Sequence, residues 1–425
     1  MMNDDISSTR NAARIEENAS LRPVPRIAIQ AFCDTPEVAS VLEQAAADRR
    51  MSKAHVKIHM GGPAAALDFY TSAPTPNLLF IESRDSREGI LEQIDKLASV
   101  CDPGTKVIVI GHSNDVALYR ELLRRGVSDY LVTPFDLYDV IREVGEIFLG
   151  SNSEPIGRTI AFIGARGGVG SSTVAHNVGF ALSRLFEGDV VIADLDLPFG
   201  TAGLDFNQDP TQGIADAVNS PERIDDVFLD RILTKCAENL ALLAAPATLE
   251  KAYDHGEDAF TQIIDVVRNG VPAVVLDMPH MWTSWVRRTL AVADEVVITV
   301  GPDLASLRNA KNLVDQLKPL RPNDSAPKLV INQLGMPKRP EIKPDDFKKA
   351  LGLDITMALP FDPQLFGTAT NNGQMIAEVN AKSPVASQFD QLAGLLTGRQ
   401  TSRVGKKSAL APLLARLPKM RRKAS

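Results

Sequence analysis

The chain has 425 residues, of which 44% are hydrophobic and 23% charged, and a formal net charge of −7; this is a globular composition long enough for two or three domains of roughly 150 residues each. No apolar run reaches the roughly 18 to 20 residues a membrane span needs, and the stretch from Met1 to Arg26 is polar, with no apolar signal core, which predicts a chain that is not secreted. Cys33, Cys101 and Cys236 stand far apart, a usage that argues against a zinc site or disulfide framework and predicts a reducing, cytoplasmic compartment.

A polar arm over 1–25 reads as disordered. The run Arg26 to Phe32 then predicts a strand, and Val38 to Ala47 an amphipathic helix. Strand patterns follow at 55–59, 76–81, 106–110 and 128–132, with helical patterns at 90–100 and 116–125 between them. Such alternation predicts a parallel α/β sheet over 26–149. His55 and His59, four apart in a strand-like segment, read as core or surface histidines rather than metal ligands. Turn formers from Gly150 to Gly157 predict a linker over 150–158. A second alternating set fills 159–398, with strands expected at 159–164, 189–193, 240–244, 272–276, 295–300, 328–332 and 355–359 and a closing helix over 387–397. The expected fold class is α/β, with two doubly wound parallel-sheet domains.

The chemistry concentrates in Arg166-Gly167-Gly168-Val169-Gly170-Ser171-Ser172-Thr173. This glycine loop lies between an apolar strand and a helical stripe of Val174, Val178, Leu182 and Leu185, the context of a phosphate-binding loop. Glycines let backbone N–H groups face an anion, and the helix N-terminus adds partial positive charge. The usual loop ends Gly-Lys-Ser/Thr, but Ser171 stands at the lysine position. Phosphate binding is expected, and fast turnover is not. A strand ending in Asp194 and Asp196 places two carboxylates on one side. The strand before Asp277 ends in a third, the usual source of a carboxylate that holds Mg²⁺ through water.

These segments, followed by 293–302, Ser306 to Arg308, Asn332 and the run Leu359-Pro360-Phe361-Asp362, occur in the order found in MinD/ParA ATPases, which 159–398 resembles. The resemblance implies ATP and Mg²⁺ as cofactors. It places Arg166 at the signature lysine that crosses a homodimer interface, the Ser172 hydroxyl on Mg²⁺ and Thr173 on the α-phosphate. It also gives Asp196 the attacking water, Asp194 and Asp277 the metal region, and Asn332, Pro360 and Asp362 the adenine; Asn332 also reads as a strand-end turn residue. His280, Trp282 and Trp285 read either as a dimer or partner surface or as packing against a neighbouring helix.

The stretch Ala117 to Phe135, ending Gly126-Val-Ser-Asp-Tyr-Leu-Val-Thr-Pro-Phe135, resembles the closing part of response-regulator receivers. The position of the receiver's phosphoacceptor aspartate falls at Glu82 or Ser83, its lysine at Thr133, and its acidic pair is reduced to Asp34 beside Cys33. An atypical receiver-like domain used for docking or dimerisation is the resulting expectation. At the other end, 391–425 carries nine Lys or Arg and no acid, leaving −16 for the rest. Leu410, Leu413, Leu414 and Leu417 form a helical stripe in this basic tail (399–425). Two readings stay open: a disordered or protein-docking segment, and contact with a membrane surface.

The combination is similar to the CpaE/TadZ pilus-assembly family. That resemblance implies a cytoplasmic protein, polar and peripheral to the inner membrane, that recruits the Flp (tight-adherence) secretion ATPase and polar assembly proteins. The alternative is a ParA/MinD-type partition or positioning ATPase that binds DNA or membrane. The acidic body and Ser171 count against it, and specific nucleic-acid binding is not expected. Redox and kinase uses of the fold lack a cysteine pair and a tyrosine-rich tail.

Overall fold

The computed structural model describes residues 21, 23–149, 156–186, 188–249 and 253–398. Most of the expected arm over 1–25, most of the linker over 150–158 and the whole basic tail with its leucine stripe lie outside the described residues.

Two sheets form. The first contains β1 (Ala28–Cys33), β2 (His55–Met60), β3 (Leu78–Glu82), β4 (Lys106–Gly111) and β5 (Asp129–Val132) in the order β2-β1-β3-β4-β5, with every pair parallel. Helices cover both faces, so the central strand β3 is buried at all five positions. The strand order reverses beside β1, which opens a crevice at the carboxyl ends of β1 and β3. On β2, His59 stacks on Phe32 with ring centroids 4.8 Å apart, consistent with the packing expected of it.

The second sheet adds β6 (Arg158–Gly164), β7 (Val190–Asp194), β8 (Thr234–Ala237), β9 (Leu240–Leu243), β10 (Ala273–Met278), β11 (Glu295–Val300), β12 (Lys328–Leu334) and β13 (Ile355–Pro360). Their order is β13-β12-β11-β6-β10-β7-β9-β8. Apolar clusters fill both faces: Leu276, Ile298, Val286 and Leu317 on one, and Phe162, Val178, Leu182, Leu392 and Phe389 on the other. All seven strands expected from the sequence are present. The eighth, β8, is an antiparallel edge strand with an irregular register, and its short Thr-Lys-Cys-Ala sequence carries no apolar run to announce it.

The two units meet at the amino ends of the second sheet's strands. The single turn Arg49–Met51 from the first unit, capped by Asp48, inserts two arginines there. Arg49 pairs with Asp294 at 3.0 Å and with Asp324 at 2.7 Å, and donates to the Val292 carbonyl at 2.8 Å. Arg50 joins Asp48 to Asp324 at 3.0 and 3.1 Å, and its guanidinium lies 5.7 Å from the centre of the Tyr138 ring. Asn323 donates to Asp48 and receives Tyr138 at its carbonyl. Asp294 also accepts from Arg268 at 2.9 Å and from the Thr159 N–H and hydroxyl at 2.8 and 2.9 Å.

Every charge here is nearly solvent-free, so removing one partner strands the others. Burial alone would raise the Asp294 pKa, but the Arg268 and Arg49 cations outweigh it and hold it at about 2. An ordinary unfolded aspartate titrates near 3.9. Its stabilisation is therefore present above about pH 4 and is lost as pH falls toward 2. Asp294→Asn is expected to cost about 3 to 5 kcal/mol at pH 7, measured by urea unfolding, with the gap from wild type closing below about pH 4. Equal stability at pH 7 would mean that the network contributes nothing net.

Candidate nucleotide site

The phosphate loop springs from the end of β6, the strand with β11 on one side and β10 on the other. Gly168 and Gly170 take φ values of 77° and 81°, a backbone that side chains rarely tolerate. A Cβ on Gly170 would stand 2.5 Å from Asn332 Nδ2. The helix Ser171–Ser183 begins directly afterwards and aims its N-terminus at the loop. Asn332 Nδ2 donates to the Val169 carbonyl at 2.8 Å, and Gln333 Nε2 to Gly168 at 3.1 Å. Asn332 Oδ1 accepts from the Gln333 N–H at 2.9 Å. Asn332 thus braces the loop from the end of β12.

A cavity of about 150 Å³ opens beside that brace, lined by Gly170, Thr173, Asn332, Pro360, Asp362 and Phe366 among others. Five residues picked from separate parts of the sequence (Gly170, Thr173, Asn332, Pro360 and Asp362) therefore converge on one space. Asp362 also caps the helix Pro363–Asn372 through the Leu365 N–H. The Ser171 hydroxyl is buried and makes no hydrogen bond. An orphaned hydroxyl on a glycine cradle at a helix N-terminus fits a phosphate group.

The carboxylates are packed behind the loop. Asp194 is fully buried and accepts from the Asp196 and Ala202 N–H groups, both at 3.1 Å. Burial, and then the nearby Asp277 carboxylate, raise its pKa to about 7. Asp196 is half-buried and accepts from the Phe199 N–H at 3.3 Å; burial first raises its pKa too. Asp277 carries one oxygen, Oδ1, without a partner. Its other oxygen lies 3.2 Å from His176 Nε2, and His176 Nδ1 lies 2.7 Å from Asp205.

His176 was not among the residues the sequence singled out. It belongs to the helix that starts at the phosphate loop and is wholly buried. The ring lies between two carboxylates, which favour its cationic form: Nδ1 is hydrogen-bonded to Asp205, while Nε2 faces Asp277 at 3.2 Å without forming a hydrogen bond. Burial alone would lower its pKa; Asp205 and Asp277 reverse that and raise it to about 10. The signal in the sequence was a His-Asn pair inside an apolar helix. Asn177 has a similarly internal role, accepting from the Ile376 N–H at 2.8 Å.

Among the described residues no group of three or more His, Cys, Asp or Glu side chains is arranged to hold a metal ion. Mg²⁺ requires less from the protein, usually one or two carboxylates completed by water and phosphate oxygens. Ser172, at the helix start, and the free Asp277 oxygen fit that sparse donor set, with Asp194 behind them.

The Arg166 side chain, 38% exposed, reaches Asp303. Its Nε and Nη2 lie 3.2 and 2.9 Å from Asp303 Oδ2, and Nη1 donates to the Gly167 carbonyl at 3.0 Å. Asp303 in turn caps the helix Leu304–Leu320 through the Ser306 N–H. The His280–Trp282–Trp285 group divides. Trp285 is buried, with its ring 4.4 Å from Phe260, whereas Trp282 is 45% exposed beside Met281. His280 bonds the Gly164 carbonyl at the root of the phosphate loop.

In the first unit, Glu82 sits at the end of β3 in the crevice beside β1 and is wholly buried. It accepts from the N–H groups of Asp34 and Thr35 at 2.7 and 2.9 Å and from the Thr35 hydroxyl at 2.7 Å. His112 closes the last side at 2.9 Å and meets Thr133 through its other nitrogen at 3.1 Å. Both carboxylate oxygens are thus engaged by the protein itself.

Gly170→Ala should weaken binding of a fluorescent ATP analogue at least tenfold while leaving the circular dichroism unchanged, because both φ and Asn332 oppose the new methyl. His176→Gln should cost roughly 3 kcal/mol at pH 7, since it leaves the buried Asp277 and the partly buried Asp205 without their cation. A histidine whose folded pKa is raised contributes stability that is complete below about pH 6.5 and lost through about 10. The gap measured by denaturant titration should therefore narrow at high pH.

A family profile described as an AAA domain matches residues 157–331. The septum site-determining protein MinD of Thermotoga maritima is 25% identical over 252 residues, 57% of this chain and 89% of its own length. The solved ParA family ATPase from Chlorobium tepidum is 26% identical, covering 56% of this chain and 98% of that one, with a TM-score of 0.52. The crystal structure of the pilus assembly protein CpaE from Caulobacter crescentus is 53% identical over 30% of this chain, in its N-terminal part, and 96% of that one. Its TM-score is 0.29, so the relationship rests on the sequence identity. Through that identity the chain belongs to the CpaE family, with a second domain of the MinD/ParA type.

Proposed function

We propose that this chain is an ATP-binding localisation and assembly factor for Flp-type pilus biogenesis, working at the cell pole as an ATP-dependent homodimer that hydrolyses slowly. The identity with a pilus assembly protein and the MinD/ParA character of the second domain support a pilus-assembly ATPase of that type. The observation that carries the rest is a phosphate loop whose backbone cradle is intact while its cationic positions are altered. Gly168 and Gly170 hold the curled backbone, Asn332 and Gln333 brace it, and Ser171 supplies an unpaired hydroxyl in place of an ammonium.

In this reading the loop N–H groups and the helix N-terminus bind phosphate oxygens, and Thr173 adds its hydroxyl. Ser172, Asp277 and Asp194 would hold Mg²⁺, which would supply charge neutralisation at the phosphates. Asp196, half-buried two residues beyond the end of β7, orients water. The cavity lined by Pro360 and Asp362 takes the base. Charge stabilisation at the γ-phosphate is the missing component: Ser171 has none to offer, and Arg166 is held by Asp303. Turnover is therefore slow, and ATP acts mainly to join two copies. The first domain, with Glu82 enclosed by its own neighbours, serves docking rather than phosphorylation.

Mass measured by light scattering should increase with Mg·ATP and not with Mg·ADP, and steady-state hydrolysis should remain well below that of a lysine-bearing MinD. Ser171→Lys should raise nucleotide affinity or turnover at least tenfold, the scale of one charge-assisted phosphate contact. A mass independent of nucleotide together with an inert Ser171→Lys variant would refute the proposal.

A further inference from the structure

Three of the buried polar atoms that lack a hydrogen-bond partner are Ser171 Oγ, Asp277 Oδ1 and His176 Nε2. The first two fit a phosphate and its cation. The third belongs to a wholly buried ring that is not among the residues lining the cavity. A leucine or methionine would fill that volume without desolvating a polar ring, so packing alone does not call for a histidine. His176 follows Ser172 by four residues on the helix Ser171–Ser183, so the two side chains share a face. Asp277 and Asp194 are paired residues of β10 and β7, which sends both carboxylates to the same side of the sheet. Two buried acids side by side repel, and the His176 ring eases that repulsion, with Nε2 3.2 Å from Asp277 Oδ2.

One stretch of chain orients the ring. His176 Nδ1 is hydrogen-bonded to Asp205 at 2.7 Å, and the ring of Phe206, the next residue, is centred 5.8 Å from the imidazole. The same stretch is tied to Asp194, which accepts from the Asp196 and Ala202 N–H groups at 3.1 Å. A Cβ on Gly200 would stand 2.3 Å from an Asp194 oxygen, so the backbone passes directly against that carboxylate. Residues 196–206 are thus held at two buried groups, Asp194 and His176. Their outer side carries Phe199 and Leu204, 72% and 73% exposed.

We infer that His176 is a positioning residue that joins Asp277, the carboxylate serving Mg²⁺ in the function proposed above, on which this rests, to the segment 196–206. Asp205 and Phe206 set the ring, the ring holds Asp277 Oδ2 from behind, and Oδ1 is left free for a cation. A carboxylate engaged on one oxygen and free on the other is already oriented as a ligand, whereas a rotating one must be ordered when the cation arrives. The link also runs outward. A cation that draws on Asp277 alters the pull on the ring, and the ring passes this to Asp205 at the end of the helix Ala202–Asp205. Occupancy of the cation site is thereby expressed in a segment whose outer side is apolar.

The test uses the full chain. ADP binding is measured by calorimetry in Mg²⁺ and in EDTA, and amide hydrogen exchange is followed with ADP present under both conditions. Wild type should bind ADP more tightly with Mg²⁺, and the amides of 201–206 should exchange more slowly once Mg²⁺ joins ADP. Asp205→Ala should weaken binding about tenfold in Mg²⁺, the scale of a lost contact behind a metal ligand, and leave binding in EDTA unchanged. Asp205→Asn should bind as wild type does, because its amide oxygen still accepts from Nδ1. An alanine variant that keeps wild-type affinity in Mg²⁺ or loses as much in EDTA, or an asparagine variant as impaired as alanine, would overturn the inference. So would exchange at 201–206 in wild type that ignores Mg²⁺, a result that stands even if Asp205→Ala fails to fold. A wild type that binds no ADP overturns the proposed nucleotide function and the inference with it. ADP binding that gains nothing from Mg²⁺ overturns the inference and leaves nucleotide binding in place.

Discussion

Asp294 is a single buried carboxylate on which both halves of the molecule converge. It sits one residue before β11 and binds Thr159 near the start of β6, so it fixes the register of the strand that carries the phosphate loop against its neighbour β11. The same carboxylate receives Arg49 from the first domain and Arg268 from the helix Thr261–Asn269. Three cationic or polar partners on one fully buried charge leave it no alternative orientation. The attachment of the first domain is therefore made against the framework of the second rather than against its surface. Along β6, at roughly 3.3 Å per residue, the phosphate loop begins about 20 Å from this junction, at the opposite end of the sheet.

At that far end the dominant feature is charge compensation from within. An ordinary phosphate loop presents a lysine to its ligand. Here the cations near the loop face the protein: His176 lies between Asp205 and Asp277, and Arg166 against Asp303. The carboxylates behind the loop are thereby tolerated in a dry interior, which isolated charges would not be. In consequence little side-chain positive charge is left uncommitted around the loop. The crevice of the first domain follows the same pattern, with Glu82 supplied with donors by Asp34, Thr35 and His112. In both domains these side chains are engaged by the protein's own groups.

The strands were legible because parallel sheets covered on both faces leave continuous apolar runs, as in the Leu78–Glu82 and Ala273–Met278 segments. Motifs set by backbone geometry were legible as well. The glycines of 167–170 announce the loop because few other residues could adopt its curvature. The edge strand Thr234–Ala237 was not legible, since four mixed residues on a sheet margin carry no pattern that distinguishes them from a loop.

What the sequence alone determined is what depends on neighbours along the chain: the alternation of strand and helix, the loop with its serine in place of lysine, and the carboxylates at strand ends. The tertiary structure decided which side chains compensate which charges. Arg49 finds Asp294 across 245 residues, Arg166 finds Asp303 across 137, and His176 finds Asp277 on a neighbouring strand. Electrostatic pairing acts over a few ångströms of space, regardless of separation in sequence, and a buried charge accepts whichever opposite charge the packing brings near. Spacing in the sequence could therefore place Arg166 and Asp277 at a nucleotide site, but only the folded chain shows them engaged by Asp303 and His176.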